Sequence, residues 1–313
     1  MSYLFRRLAG STVVLFGVTV LTFGLVHLTP GDPARTVLAE RQGRQPSEAD
    51  VREFRAEQGL NEPVPIQYGD WLGDVFRGDL GRSYYGNGDV LELLLAYLPN
   101  TIELAGASIL VAVAIAIPAG VVSAVYRGTW IDYVSQVTSL IGVSMPNFWL
   151  GYLLIIGGAL RLGVFPVYGA GTLSHLVLPA ITLGTGMAAV LTRLVRSSLL
   201  ETLEEPYADA ARARGLAERG VVTAHALRTA LLPVVTMIGL QLGYVLGGAV
   251  VVEVVFQRPG LGTLLVDAVF ARDFPVIQGV TLLVGATFVV VNLLTDLAYH
   301  RLDPRVSLGG DRA

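Results

Sequence analysis

The sequence predicts an all-α protein that crosses a membrane several times. Of its 313 residues, 53% are hydrophobic and 15% are charged, and the mean hydropathy is +0.60, whereas a soluble domain carries about 25% charged residues. The apolar residues gather in six long stretches with few charges, and none shows the in-and-out alternation of a membrane β-strand. Because backbone groups in lipid need partners within the segment, we expect these stretches to be helices.

The six predicted transmembrane helices have lengths close to the ~20 residues that cross a bilayer core. The first is too long for the apolar region of a signal peptide. The third is interrupted by Pro146, and the fourth is short enough to extend into Arg193 and Arg196. In chain order the spans are Leu8–Leu28, Leu104–Tyr126, Tyr133–Leu160, Leu176–Thr192, Thr229–Val252 and Phe274–Thr295.

The distribution of arginine predicts the orientation of these spans. Twelve arginines lie in the N-terminal flank, at Arg127, in residues 193–228 and in the C-terminal tail. The opposite short loops, 161–175 and 253–273, carry three. Because positive residues accumulate on the cytoplasmic side of a membrane, we expect both termini to be cytoplasmic.

Residues 29–97 form the one sizeable segment outside the predicted spans, an extracytoplasmic insertion with a net charge of −5. A short helix is predicted over Glu48–Gln58. Ser47 suits its N-cap, Asp50 its third position, and Gly59 its stop.

The second half of the insertion predicts another helix after a proline-rich connection. Pro63 and Pro65 favour extended chain, and Ile66–Phe76 has the spacing of an amphipathic helix. This helix either lies on the membrane surface in contact with lipid or belongs to a small lid over the bundle.

The composition excludes several kinds of chemistry. All 22 basic residues are arginine, so a phosphate-binding loop with its lysine and a lysine Schiff base are both excluded. The absence of cysteine excludes a thiol nucleophile and thiolate zinc sites. The four histidines have no zinc-binding spacing, no G-x-S-x-G motif is complete, and a net charge of −3 gives no support for nucleic-acid binding.

The segment Glu204–Leu216, between the fourth and fifth spans, predicts a short capped helix. Pro206 suits the first helical position, and Arg212 and Arg214 suit the negative end of the helix dipole. Gly215 is a natural stop with a positive φ angle. A helix of about two turns is marginal alone, and its alanines would let another surface approach closely. It is either a connecting helix packed on its own bundle or a docking site for a cytoplasmic partner.

A few polar residues in or beside the spans are candidates for a translocation pathway. Polar groups inside a membrane are costly, so they are functional candidates. The alternative for the carboxylates is a position at the membrane interface, and the alternative for the neutral groups is an interhelical hydrogen bond. The candidates are Glu103, Asn147, Gln241, Tyr244 and Glu253.

Asp209-Ala210-Ala211-x-x-x-Gly215 resembles the E-A-A-x-x-x-G coupling loop of bacterial ABC-importer permeases. Asp209 stands where the general motif has Glu. Of the I-x-L-P that ends the general loop, only Leu227 matches, and Pro233 follows later. Further landmarks span about residues 1–306, at 29–33 (TPGDP), 78–83 (GDLGRS), 146–151 (PNFWLG), 254–262 (VVFQRPGLG) and 302–306 (LDPRV). Together they resemble the first permease subunit of dipeptide, oligopeptide and nickel importers.

The resemblance implies the type I ABC-importer permease fold and a division of the chain. Residues 1–28 would hold the N-terminus and first span, and 29–97 the insertion. Residues 98–306 would form a five-helix core with the coupling loop at 201–228, and 307–313 a short tail.

The resemblance also implies a subunit without catalytic residues or a cofactor of its own. It would lie in a prokaryotic inner or plasma membrane with a second related permease, two subunits that bind ATP and Mg, and an extracytoplasmic solute-binding protein. Asp209 and Gly215 belong to the coupling motif, and Arg212 is expected to pair with Asp209. The residues expected to fill a groove on the ATPase are Tyr207, Ala210, Ala211, Arg214 and Leu216.

Peptides are the substrate class that this resemblance favours, with nickel, opines and oligosaccharides as alternatives. A secondary transporter is a rival interpretation, but the sequence has neither the internal repeat nor the midplane ion site that it requires. An intramembrane hydrolase is a further rival, for which no paired nucleophile and base can be named.

Overall fold

The structure, a computed structural model, describes residues 3–28, 32–85 and 88–302. This described part contains helices and loops but no β-strand, which confirms the predicted all-α class. It divides into two compact units, Met1–Asn100 with Pro259–Val290 and Thr101–Arg258 with Val291–Ala313. The predicted landmarks at 29–31 and 303–306, and the predicted tail 307–313, lie outside the described residues.

The helices differ in length from three residues to 36. Two short π-helical segments, Ile155–Arg161 and Val221–Ala226, interrupt the α-helical order. In chain order the α-helices are α1 (Tyr3–Leu28), α2 (Pro33–Gln42), α3 (Glu48–Glu57), α4 (Val64–Arg77), α5 (Val90–Val125), α6 (Trp130–Ser144), α7 (Asn147–Leu154), α8 (Leu173–Leu203), α9 (Pro206–Ala213), α10 (Glu218–Gly220), α11 (Leu227–Ala230), α12 (Leu232–Val255), α13 (Leu261–Ala271) and α14 (Phe274–Leu302).

Among the described residues, four helices are long and apolar enough to cross a membrane: α5, α8, α12 and the Phe274–Thr295 part of α14. The pair Trp130–Ser144 and Asn147–Arg161 qualifies as a fifth span if the two parts are taken together. Helix α1 (Tyr3–Leu28) covers the predicted first span, and its segment Ala9–Gly24 is a shorter apolar helix than these four. The chain is therefore a multi-pass membrane protein, and the sixth crossing stays a prediction.

The predicted third span is sharply broken at Pro146. The helices on either side of it are bent by 106°, far more than a simple kink. Met145 adopts an extended conformation, with φ −81° and ψ 121°, because a residue before proline is disfavoured in the α region. The break was expected from the proline, but its angle was not.

Helix α8 is the central element of the second unit. In its most apolar window 67% of residues are buried, against 17% to 33% for the other three long spans. Leu183, Met187, Leu191 and Val195 are fully buried there and pack against α5, α7 and α12. The predicted extension of this span through Arg193 and Arg196 is confirmed, since α8 continues to Leu203.

In the first unit, α2 and α3 pack around the buried side chains of Val37, Val51 and Phe54. The predicted capping of α3 is confirmed: Asp50 N donates to Ser47 Oγ at 3.1 Å, and Ser47 N donates to Asp50 Oδ2 at 3.2 Å. These reciprocal bonds lower the pKa of Asp50. They satisfy two backbone donors at the start of the helix.

Helix α4 begins earlier than the sequence predicts, and one expectation about its prolines was wrong. Pro65 lies in the first turn of α4 rather than in extended chain. Proline is tolerated there because the N–H group that it lacks would have no helical partner. The helix ends at Gly78, which has a φ angle of 84°.

Candidate functional site

The candidate site is the segment around α9, which joins the membrane-spanning helices α8 and α12. Its predicted boundaries are confirmed: Pro206 occupies the first turn, and Gly215 has a φ angle of 81°. Leu216 N donates to Ala211 O at 3.3 Å, and Gly215 N donates to Arg212 O at 2.9 Å. This pair of bonds is the Schellman motif, which needs a left-handed residue after the helix.

The two faces of α9 have opposite environments. Ala208 is fully buried and Ala211 is 6% exposed, both against Val221 and the partly buried Leu203 of the same chain. The sequence prediction assigned Ala211 to the contact with a partner, whereas its methyl group faces the interior. Tyr207 is 41% and Leu216 38% exposed. The exposed face also carries Asp209, Ala210, Arg214 and Gly215.

Arg212 connects α9 to the segments on both sides of it. Its Nη1 donates to Asp209 Oδ1 at 2.9 Å, which confirms the predicted pair, and to Leu203 O at 3.2 Å. Its Nε and Nη2 donate to the two carboxylate oxygens of Glu218 at 3.1 and 3.0 Å. The pairing with Glu218, and secondarily with Asp209, raises the pKa of Arg212, and it lowers the pKa of Glu218. One guanidinium thus joins the end of α8, α9 and the start of α10.

A second ion pair joins the loop before α6 to the start of this segment. Arg127 Nη1 lies 2.9 Å from Glu204 Oε1, and Glu204 follows directly after α8. The loop that contains Arg127 is thus tied to the residue before the N-cap of α9.

A buried carboxylate of the second unit that has several hydrogen-bond partners was not predicted. Asp132 is 2% exposed and accepts hydrogen bonds from Arg196 Nε at 2.7 Å and Arg196 Nη2 at 2.8 Å. Ser123 Oγ donates to it at 2.6 Å, Gln136 Nε2 at 2.9 Å, and Gly128 N at 3.0 Å. These donors join α5, α6 and α8. The sequence did contain a signal for this pair, since Asp132 and Arg196 each lie at the border of an apolar stretch. Charges of opposite sign at such positions tend to pair with one another.

The two carboxylates among the pathway candidates are both held by other side chains. Thr101 Oγ1 donates to Glu253 Oε1 at 2.7 Å, and Glu253 is fully buried. Glu103 accepts a hydrogen bond from the guanidinium of Arg258, which is also fully buried. The two pairs link α5 to α12 and to Arg258 just after it, while the side chain of Glu103 stays 48% exposed. Sequence reasoning missed the partners Thr101 and Arg258.

The neutral pathway candidates are all partly open. Tyr244 is 49% exposed, and Asn147 and Gln241 are half-buried. Glycines adjoin two of them: a Cβ atom added to Gly186 would lie 3.3 Å from Tyr244 Oη, and one added to Gly248 would lie 3.3 Å from Asn147 Nδ2. Along the described chain, no group of three or more histidine or carboxylate side chains could hold a metal ion.

Family models match both parts of the chain. The model described as "Binding-protein-dependent transport system inner membrane component" matches residues 116–308. The model of the N-terminal part of such membrane components matches residues 1–105.

Curated relatives are similar to the chain over nearly its whole length. An oligopeptide transport system permease protein from Bacillus subtilis is 42% identical, over 97% of this chain and 99% of the relative. A glutathione transport system permease protein from Pectobacterium atrosepticum is 43% identical, over 98% and 99%. A dipeptide transport system permease protein from Alkalihalophilus pseudofirmus is 38% identical, also over 98% and 99%.

Among solved structures, the fold is similar to that of the MetNI methionine ABC transporter in inward-facing conformations. One crystal form matches with a TM-score of 0.59 and 21% identity, over 67% of this chain and 96% of the solved chain. A second form matches with a TM-score of 0.56 and 22% identity. At this level of identity the likeness establishes the fold.

Proposed function

This chain belongs to the family of binding-protein-dependent transport system inner membrane components, and we propose that it forms half of a peptide translocation pathway driven by separate ATPase subunits. Its relatives include oligopeptide, dipeptide and glutathione permeases, and these names support peptides as the substrate class. ATP and Mg would bind to the partner chains, since this sequence has no lysine for a phosphate-binding loop.

The observation that carries the proposal is the two-faced helix α9. Its inner face is sealed by Ala208 and Ala211 against its own chain, while Tyr207 and Leu216 remain exposed. Aromatic and arginine side chains are enriched at the centres of protein interfaces, and Tyr207 and Arg214 are of these types. The outer face of α9 therefore suits a groove on a cytoplasmic ATPase.

The bonds around α9 support a mechanical role for it. Arg212 ties α9 to the carbonyl of Leu203 at the end of α8, and Arg127 ties the residue after α8 to the preceding loop. Two turns before the end of α8, the bidentate pair between Arg196 and Asp132 holds α6 to α8. A displacement of α9 by closing ATPases would thus be passed to α8, which Arg212 joins to α9, and from α8 to α6, which the pair of Arg196 and Asp132 joins to α8.

In the proposed assembly, both termini are cytoplasmic, and a second related permease completes the pathway. An extracytoplasmic binding protein would deliver the solute on the side of residues 29–97. A cysteine at Gly88 should then react with an impermeant thiol reagent on intact cells, and one at Ala217 should react only after permeabilisation. The chain has no native cysteine, so the background is clean, and the reverse pattern would contradict the proposed orientation.

The function is tested by expressing the chain with its partner subunits in cells that lack peptide importers. Uptake of labelled dialanine, trialanine and glutathione should require both the chain and ATP-competent partners. The purified chain alone should hydrolyse no ATP. Hydrolysis by the homogeneous chain, or the absence of uptake for all three solutes with a fully assembled complex, would contradict the proposal.

A further inference from the structure

A cavity of about 270 Å³ lies within the first unit, between the insertion and the start of α14. Four aromatic rings contribute to its wall, together with carboxylates and amides, and no arginine or histidine is present among the described residues that line it. The aromatic residues are Phe23, Trp71, Tyr84 and Phe274, and the acidic residues are Glu62, Asp70, Asp74 and Asp79.

The acidic side chains leave the cavity with an excess of negative charge. Asp74 is paired with Arg77 at 2.9 Å, and Asp79 Oδ1 accepts a hydrogen bond from Gly81 N at 2.8 Å. Within the described part of the chain, the carboxylates of Glu62 and Asp70 have no ion-pair partner. The carboxylates are too dispersed to chelate a metal ion, since the described residues contain no cluster of three metal-binding groups.

A buried amide that faces the cavity points independently to a ligand. Gln278 is 8% exposed and lines the cavity, and its side chain forms no hydrogen bond with any residue in the described ranges. Since its amide atoms are neither fully buried nor hydrogen-bonded within the described ranges, they open onto the cavity, where the carbonyl oxygen is an acceptor for a ligand with hydrogen-bond donors. Tyr84, also 8% exposed, stays a neutral phenol because burial, and then the charge of Asp273, raise its pKa to about 12.

The aromatic wall is held in place by contacts within the same unit. The ring centroids of Trp71 and Phe23 are 5.7 Å apart, and those of Trp71 and Tyr68 are 6.1 Å apart. Gln67 braces the rim, since its Nε2 donates to Glu62 O at 2.7 Å. Aromatic faces attract cations through the ring quadrupole, and aromatic rings recognise ammonium ligands in this way. The nearby carboxylates add charge of the opposite sign.

We propose that this cavity is a binding site for a primary ammonium group, with Gln278 as hydrogen-bond acceptor, Trp71 as aromatic face and Asp70 as counter-charge. The identification of that ammonium with the amino end of a transported peptide rests on the proposed function. The binding of an ammonium group in the cavity does not depend on the proposed function.

The test is calorimetric titration of the full chain in lipid nanodiscs. Alanyl-alanine amide carries the ammonium and no carboxylate, N-acetyl-alanyl-alanine amide lacks the charge, and tetramethylammonium is a cation without N–H donors. The free amine should bind about tenfold more tightly than each of the other two, the size expected for hydrogen bonds to a charged donor. Equal binding of the acetylated peptide, equal binding of tetramethylammonium, or no binding of the amine would overturn the proposal.

The affinities of three single variants test whether the ammonium group binds in this cavity. Gln278→Leu should weaken binding of the amine about tenfold. Asp70→Asn, at an exposed position that does not threaten folding, should weaken it about threefold. Glu92→Gln removes an exposed carboxylate of the same unit that does not line the cavity, and it should leave the affinity unchanged. Unaltered affinity in Asp70→Asn and Gln278→Leu would place the binding elsewhere and overturn the assignment.

The outcome separates this proposal from the proposed function. If the ammonium has no advantage while ATP-dependent uptake is normal, the cavity is not the site and the importer stands. If the amine binds as expected but the chain neither retains ATPase subunits nor supports uptake, the site stands and the proposed function falls.

Discussion

Two short helices outside the spans, α9 and α4, differ in how they are held. Helix α9 has eight residues, and its alanines allow close packing that buries Ala208 fully. Helix α4 has 14 residues and a more apolar sequence, yet none of its residues is buried. It touches α1 through Tyr68, whose hydroxyl lies 2.8 Å from Thr19 Oγ1, and through Trp71. Helix length and apolar content therefore do not decide how closely a helix packs on its unit; in α9 the small alanine side chains allow the closer packing.

The largest effect is expected from a substitution that disrupts the packing of the inner face of α9. Ala208→Asp would bury an unpaired carboxylate at a fully enclosed position, at a cost of about 3 kcal/mol or more. Helix α9 should detach, and limited trypsin digestion of the chain alone should become faster at Arg212 and Arg214. Retention of ATPase subunits during purification should be lost as well.

The matched control lies on the outer face. Ala210 is exposed, so Ala210→Asp should leave digestion of the isolated chain unchanged and still weaken ATPase retention. If both variants behaved alike in the chain alone, the division of α9 into an inner and an outer face would be wrong.

A smaller effect is expected at the end of α9. Gly215 has a φ angle of 81°, and no atom lies within 4 Å of an added Cβ. Gly215→Val should therefore cost about 1 kcal/mol or more from backbone strain alone, and its side chain would project toward the partner. Uptake should fall strongly at normal expression. Gly220→Ala serves as control because Gly220 is helical, with φ −65°; normal uptake in Gly215→Val would remove the coupling assignment of α9.

The ion pairs of Arg212 with Glu218 and Asp209, here called the Arg212 brace, should make the stability of α9 fall at acidic pH. Arg212 lowers the pKa of Glu218 below its usual value of 4.5. A depressed pKa means that the stabilisation is present at neutral pH and lost as the pH falls through the lowered value. Amide exchange of residues 206–220, corrected for intrinsic rates, should rise at acidic pH in the native chain. In Arg212→Gln it should already be raised at neutral pH and depend less on acid, and an unchanged profile would show that the brace does not hold α9.

The same comparison shows what the sequence could predict. Local signals were sufficient for α9, because Pro206 and Gly215 act within their own turns, and for the cap of α3 at Ser47. The i, i+3 pair of Asp209 and Arg212 was also predictable. The partners of Asp132, in contrast, lie up to 64 residues away in the chain, and a single sequence does not reveal which distant residues meet.

Burial was the other property that local patterns could not supply. The alanines of α9 suggested an open surface, but Ala208 and Ala211 face the chain itself. Glu253 was a pathway candidate because it ends an apolar stretch, and only the fold reveals that Thr101 binds it. For α4, the amphipathic spacing was consistent with both a membrane-surface helix and a lid, and its exposed face leaves both alternatives open.

The smallest effect is expected on α4, and it decides between those alternatives. Phe76 is 84% exposed, so Phe76→Ser should change the free energy of unfolding by no more than about 0.5 kcal/mol. If the exposed apolar face of α4 lies on lipid, a tryptophan placed on that face by Phe76→Trp should be quenched by brominated lipids in nanodiscs. Trp71 cannot report on this face, because it packs against Phe23 and lines the cavity. The chain has three native tryptophans, so the measurement uses a background with Trp71→Phe, Trp130→Phe and Trp149→Phe. The same probe placed on the exposed face of α9 by Ala213→Trp should not be quenched. Absence of quenching at position 76 would assign α4 to a lid, and the contrast with α9 would then be one between two protein-facing surfaces.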